Sequence, residues 1–214
     1  MIHHHPDDAL LLAYASGAAD EAISLILASH MTYCSHCRAR SGELEAIGGV
    51  LLEDLPPAPL AVGARDCVMA MLDEGKPYER AAPAGRTDGR TPAVLRPYIG
   101  GDLAQVRWRR MGPQLSYVPL LRRGAVTARL LRGVPGAQSG LHSHKGLEFT
   151  LVLQGGYTDV TGSYGPGDLQ VVDGSTSHNP IADPGKDCIN LAVTTGRLTF
   201  DSLIQKIAGP LFGF

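Results

Sequence analysis

Two groups of side chains in the 214-residue chain have the types and spacing of metal ligands. The first is His30-Met31-Thr32-Tyr33-Cys34-Ser35-His36-Cys37, an H-x-x-x-C-x-x-C run. Residues four apart share a helix face, so His30 and Cys34 aim at one point. A break after Cys34 lets Cys37, on the first turn of a following helix, approach from another side. Three soft or borderline donors converging in this way fit Zn²⁺, which takes four ligands in structural sites. The fourth must come from a distance, and the available histidines are His3, His4 and His5. His5 lies nearest the first helix and is the expected ligand. His36, inside the C-x-x-C, is expected to point away. A redox role for Cys34 and Cys37 is the other reading, but no strand–helix thioredoxin pattern precedes them. The three consecutive histidines could also be a tag remnant, although tags usually carry more.

The second group is His142, His144, Glu148 and His178. Alternate residues of a strand face one side, so His142 and His144 would point together into a barrel. Glu148 adds an oxygen from the adjoining strand, and His178 returns beside the pair after the Gly167-Asp168 turn. Three imidazoles and a carboxylate suit Zn²⁺, Fe²⁺, Mn²⁺ or Ni²⁺, and donor type does not choose among them.

The elements that must position these residues fall into two kinds. Up to residue 80 the pattern is helical. Asp7 or Asp8 caps a first helix that stops at Gly17, and a second begins near Asp20 and runs to His30. A third spans about 38–52 with Leu44, Ile47, Val50 and Leu51 on one side, ending before Pro56, Pro57 and Pro59. A fourth covers about 62–72. Residues 81–91 are rich in Ala, Pro, Gly, Arg and Thr and read as a linker. Beyond Leu95 come short strands, expected at 105–110, 115–121, 125–132, 147–153, 156–161, 169–173 and 188–193, with a terminal helix near 202–212. Regular short strands without intervening helices indicate an antiparallel sandwich or barrel. The expected fold is therefore α + β: a helical zinc-binding domain (1–80), a linker (81–96) and an antiparallel barrel (97–214).

Composition narrows the function. The chain is 44% apolar and 19% charged, enough to build real cores. No stretch approaches the ~18 apolar residues of a membrane span, and the start lacks the layout of a secretory signal, so a cytoplasmic location is expected. Four cysteines do not make a disulfide framework. Residues 1–85 carry five Lys/Arg against twelve Asp/Glu, and the remainder fourteen against nine. An acidic half repels nucleic acid and suits a basic protein, or it is an ordinary solvated helix surface. A DNA-binding zinc module is disfavoured, because no basic recognition helix is visible.

These motifs carry family resemblances. The acidic helical part with a distal histidine and H-x-x-x-C-x-x-C resembles the zinc-binding anti-sigma domain, which binds extracytoplasmic-function sigma factors. Gly136, His142, His144, Glu148 and Gly155 fit G-x5-H-x-H-x3-E-x6-G and look like the first cupin motif. The second cupin motif usually has P-x-G before its histidine. Here the run is Val172-Asp173-Gly174-Ser175-Thr176-Ser177-His178, a departure that bears on the local turn more than on the ligand. The combination resembles the ChrR family of anti-sigma factors. That resemblance implies sigma-factor binding by the first domain, one to one, and release through the cupin on exposure to singlet oxygen or organic hydroperoxides. It implies an inhibitory fold held by His5, His30, Cys34 and Cys37 with Zn²⁺, and a signal-responsive site at His142, His144, Glu148 and His178 with Zn²⁺ or another divalent transition metal. Direct nucleic-acid or membrane binding is not expected. Some members carry a second cysteine two residues after the position of Cys188; here it is Asn190, so a thiol pair there is not the sensor. The alternative from another class is a dioxygenase-like cupin metalloenzyme with a zinc-stabilised adaptor.

Overall fold

The computed structural model describes residues 1–74 and 91–196, with the backbone of 198–200. Most of the expected linker and the expected terminal helix near 202–212 lie outside these residues.

Aspartates start the first two helices. Asp7 accepts from the Leu10 N–H (2.8 Å) and opens α1 (Asp8–Ala15), which ends just before Gly17 at φ +73°. Asp20 accepts from the Ala22 N–H (2.9 Å) and opens α2 (Glu21–Tyr33). These caps satisfy N–H groups that have no partner inside the helix. Cys34 is then extended (φ −102°, ψ 105°) and serves both as the last cap of α2 and as the first of α3 (Ser35–Glu53), its sulfur accepting from the Cys37 N–H. That one extended residue supplies the break the cysteine spacing requires. α4 (Ala64–Asp73) follows, with no buried residue.

Residues 91–96, placed in the linker by composition, are instead ordered. A 3₁₀ turn (Ala93–Leu95) leads into α5 (Arg96–Ile99), and Leu95 is completely buried. A second 3₁₀ turn (Leu103–Gln105) occupies the start of the strand expected at 105–110, because Asp102 and Gln105 close a capping box there. Of that stretch only β1 (Arg109–Arg110) pairs as a strand.

The strands that follow are β2 (Leu115–Arg123), β3 (Val126–Gly133), β4 (His142–His144), β5 (Glu148–Gln154), β6 (Tyr157–Asp159), β7 (Gly162–Tyr164), β8 (Leu169–Val172), β9 (Ile181–Ala182), β10 (Cys188–Thr194) and β11 (Leu198–Phe200). They form a six-stranded sheet in the order β1-β2-β3-β10-β5-β8, a three-stranded sheet β7-β6-β9 and a pair β11-β4, and every pairing is antiparallel. The segment expected as one strand at 156–161 is thus a tight hairpin of β6 and β7.

β5 reads Glu-Phe-Thr-Leu-Val-Leu-Gln and is buried on both faces. Glu148, Thr150 and Val152 line one side, and Phe149, Leu151 and Leu153 the other, as the two-residue period of a strand dictates. The second set joins Leu191 and Val193 of β10 and Leu130 of β3 in a core that is capped by Ala22, Leu25, Ile26 and Leu27 of α2. The helical part and the barrel therefore share one apolar core. Tyr98 donates to Glu21 (3.0 Å), and Arg123 pairs with Glu21, adding polar ties across the same boundary. No helix among the described residues is long and apolar enough to cross a membrane.

Two candidate metal centres

The first centre sits where α2 hands over to α3. His30 is on the last turn of α2, Cys34 caps both helices, and Cys37 lies on the first turn of α3. His5 arrives from the segment ahead of α1. The donor atoms of these four residues lie within 4.8 Å of one another. His5 Nδ1 is 3.4 Å from both sulfurs. An ion bonded at ~2.3 Å to sulfur and ~2.0 Å to nitrogen in a tetrahedron sets those atoms about 3.5 Å apart. The two distances from His5 to sulfur match that separation.

A second observation points the same way. The His30 Nδ1–H donates to the Gly167 carbonyl (2.8 Å), which leaves a lone pair on Nε2. That Nε2 is buried among the described residues with no hydrogen-bond partner and faces the sulfurs. Burying a polar atom unpaired costs free energy unless something binds it. Burial pulls His30 down to about 4, keeping the ring neutral. Burial, together with Cys34, pushes the Cys37 thiol up to about 12. The neighbouring sulfur discourages a bare thiolate, a disadvantage that a divalent cation removes.

His3 and His4, the alternatives to His5, are used otherwise. Their backbone N–H groups bind Asp168, and the His4 ring lies on Tyr164 with centroids 4.3 Å apart. His36 is exposed, with its ring centroid 5.5 Å from that of His5 and its donors outside the cluster.

The second centre is inside the barrel. β4 presents His142 and His144 on one face with Ser143 between them, and β5 opens with Glu148. His142 and His178 bridge through paired backbone hydrogen bonds of 3.1 and 3.0 Å, which brings the returning chain alongside. Glu148 Oε2 lies 3.1 Å from His144 Nε2, 3.2 Å from His178 Nε2 and 4.0 Å from His142 Nε2. All four side chains are buried.

The far sides of two rings are fixed by acceptors. His142 Nδ1 donates to the Gly140 carbonyl (2.7 Å) and His178 Nδ1 to Asp159 (2.8 Å). Carbonyl and carboxylate oxygens only accept, so each Nδ1 carries a proton and each Nε2 faces inward, where His178 Nε2 donates to Glu148 as an imidazolium and would offer a lone pair once a cation displaced that proton. His144 Nε2 and His178 Nε2 stand 3.2 Å apart, a contact that a shared cation or proton must bridge. Burial alone would raise Glu148, but hydrogen bonds from His144 and His178 outweigh it and hold the carboxyl at about 2. Burial likewise opposes the charge on His178, yet Glu148 and Asp159 raise it. A charged carboxylate facing three imidazoles is a set of donors that could hold a divalent transition metal. Asp159, Gly140 and Gly167, which hydrogen-bond the outer nitrogens of His178, His142 and His30, escape motif reading because they act through backbone or outer contacts.

Comparison with known proteins decides the family. The chain is 46% identical over 212 residues to the anti-sigma-E factor ChrR of Cereibacter sphaeroides, covering 99% of this chain and 98% of that one. This chain belongs to the ChrR family of anti-sigma factors. Residues 98–199 match the family model described as the ChrR cupin-like domain. The crystal structure of Rhodobacter sphaeroides SigE in complex with the anti-sigma ChrR superposes with a TM-score of 0.79 at 44% identity, covering 91% of this chain and 99% of that one. As a ChrR-family protein the chain is a regulator, and the metalloenzyme alternative falls away.

Proposed function

We propose that this chain binds and inhibits an extracytoplasmic-function sigma factor, one to one and in the cytoplasm, through α3 and α4. The carrying observation is an apolar surface that is exposed among the described residues. Ile47, Val50, Leu51 and Leu52 of α3 are 58–69% exposed, and Val68, Met69, Met71 and Leu72 of α4 are 47–69% exposed. Exposed apolar side chains in such number mark a protein-binding surface. The acidic balance of residues 1–85 favours a basic partner. The ChrR of the similar crystal structure is held by its SigE. Direct contact with nucleic acid is not part of this reading.

In the N-terminal centre, His5, His30, Cys34 and Cys37 would hold Zn²⁺, which supplies a cross-link between residue 5 and both sides of the α2–α3 junction. A helical unit of this size has a small core, and such a cross-link fixes the angle at which α3 leaves α2. In the barrel, His142, His144, Glu148 and His178 would hold Zn²⁺ or another divalent transition metal. Imidazole donors are electron-rich, and singlet oxygen or an organic hydroperoxide is the proposed signal at this centre. Glu148 sits one residue from Phe149, which packs under α2. A shift of β5 at the cluster is therefore transmitted to the helix that carries His30, biasing the protein towards sigma release.

The test is co-expression with an extracytoplasmic-function sigma factor of the same genome. A stable one-to-one complex is expected, and Val68→Asp/Leu72→Asp should abolish it while leaving the melting temperature unchanged. Capture of the sigma factor by that variant at wild-type strength refutes the surface assignment. His142→Ala/Glu148→Ala should still bind the sigma factor and fail to release it under photo-oxidative stress. Normal release by this variant removes the barrel cluster from sensing.

A further inference from the structure

Three donors of the N-terminal centre stand on α2, on α3 or on the one residue between them, but His5 belongs to a segment without a regular element of its own. The barrel holds that segment. Asp168 Oδ1 accepts from the backbone N–H of both His3 (2.6 Å) and His4 (3.0 Å), while Oδ2 accepts from the Gly165 N–H (2.9 Å). The Leu169 N–H donates to the His4 carbonyl (3.1 Å), so the segment continues the hydrogen bonding of β8. Gly167, at φ +93°, lies close enough that a Cβ there would come within 2.8 Å of Ile2 Cδ1 and 3.1 Å of Tyr33 Cβ. Its carbonyl is the one that orients His30. The turn of residues 165–168 thus holds His30 directly and the two residues that precede His5.

The same turn leads back to the barrel cluster. The His4 ring rests on Tyr164, whose hydroxyl is 2.8 Å from Thr161 Oγ1. Thr161 Oγ1 donates to Asp159 (2.6 Å), and Asp159 receives the His178 Nδ1–H. A continuous run of contacts therefore joins the two clusters.

We propose that Asp168 is a positioning residue for the N-terminal centre: by fixing the backbone of residues 3 and 4 it keeps His5 aimed at Cys34 and Cys37, so the barrel governs how firmly that centre retains its ion. His5 is the one exposed donor of the four, and it is the donor that leaves first when the turn loosens. This rests on reading the cluster as a metal site, and it deepens the proposed switch by naming which contact transmits the state of the barrel. It does not depend on the identity of the sigma factor.

The full-length chain loaded with Co²⁺ provides the measurement, because thiolate-to-cobalt absorption arises only at the centre with cysteines. Asp168→Asn should speed the loss of that absorption to a chelator by about tenfold or more, the range seen when partners behind metal ligands are removed. Its d–d bands should also weaken as His5 gives way to water. Ile2→Ala, which leaves the barrel untouched, should act in the same direction, and Thr161→Val should do so more weakly. Wild-type release rates in both Asp168→Asn and Ile2→Ala overturn the proposal. So does a lowered melting temperature of the metal-free protein with unchanged rates and spectra, which makes Asp168 merely structural. A wild-type chain with no thiolate absorption overturns the metal reading of the cluster instead.

Discussion

Asp159 stands behind His178 with its second oxygen occupied by the Thr161 N–H and hydroxyl, so the carboxylate is fixed on both sides. Replacing it by Asn keeps the shape and removes the charge that makes His178 a stronger donor. Asp159→Asn should lower metal affinity at the barrel centre by about 10- to 100-fold, measured by calorimetric titration of the chelated protein. Asp168 carries a pH signature. Burial would raise its carboxyl, but the Gly165, His3 and His4 N–H groups outweigh burial and hold it below the usual range. The folded state then binds the proton less well than the unfolded chain. The stabilisation is complete above about pH 4 and disappears as the pH falls through the lowered folded value. The gap in melting temperature between wild type and Asp168→Asn should be constant from pH 5 to 8 and close below pH 4. At this scale the membership of the two side-chain clusters was legible, because ligand chemistry demands particular side chains at helical or strand spacing. The residues that orient them were not legible, because a carbonyl or an outer carboxylate can come from any position the fold brings near.

At the scale of elements, α2 and α4 show two destinations for apolar side chains on a helix. Ile26 is wholly buried between α2 and the six-stranded sheet, so Ile26→Ala should cost about 2–5 kcal/mol in urea unfolding. Val68 on α4 is exposed, and Val68→Ala should change folding stability by less than about 0.5 kcal/mol while weakening sigma binding. The apolar stripe on α3 illustrates what periodicity leaves open. Leu44 packs beside Leu11, Met31, Cys34 and Cys37, whereas Ile47, Val50 and Leu51 further along the same stripe face solvent. Periodicity reports that a face is apolar and is silent on whether the cover is the chain itself or a partner. The strand expected at 105–110 failed for a local reason. Val106 and Trp108 alternate as in a strand, but the Asp102–Gln105 capping box bends the chain first, and only residues 109 and 110 pair with β2.

For the whole molecule, the shared core makes the helices and the barrel mechanically dependent. α1, α2 and the barrel should unfold in one cooperative transition, with calorimetric and van't Hoff enthalpies that agree. Two well-separated transitions would show that the core joining Leu25, Ile26 and Leu27 to Phe149, Leu151 and Leu191 does not bind the parts together. The same dependence is what the proposed release switch requires, since a signal in the barrel would reach α2 through packed side chains rather than across a flexible joint.

The α + β class, helix starts at Asp7 or Asp8 and at Asp20, and the membership of both side-chain clusters followed from the amino-acid order alone, because caps, periodicity and ligand spacing are local properties. The docking of α2 on the sheet, the order in Thr91–Arg96 and the grip of Asp168 on residues 3 and 4 came only with the tertiary structure. Each joins positions far apart in the chain, and such contacts depend on which surfaces meet once the barrel closes, which no local pattern encodes.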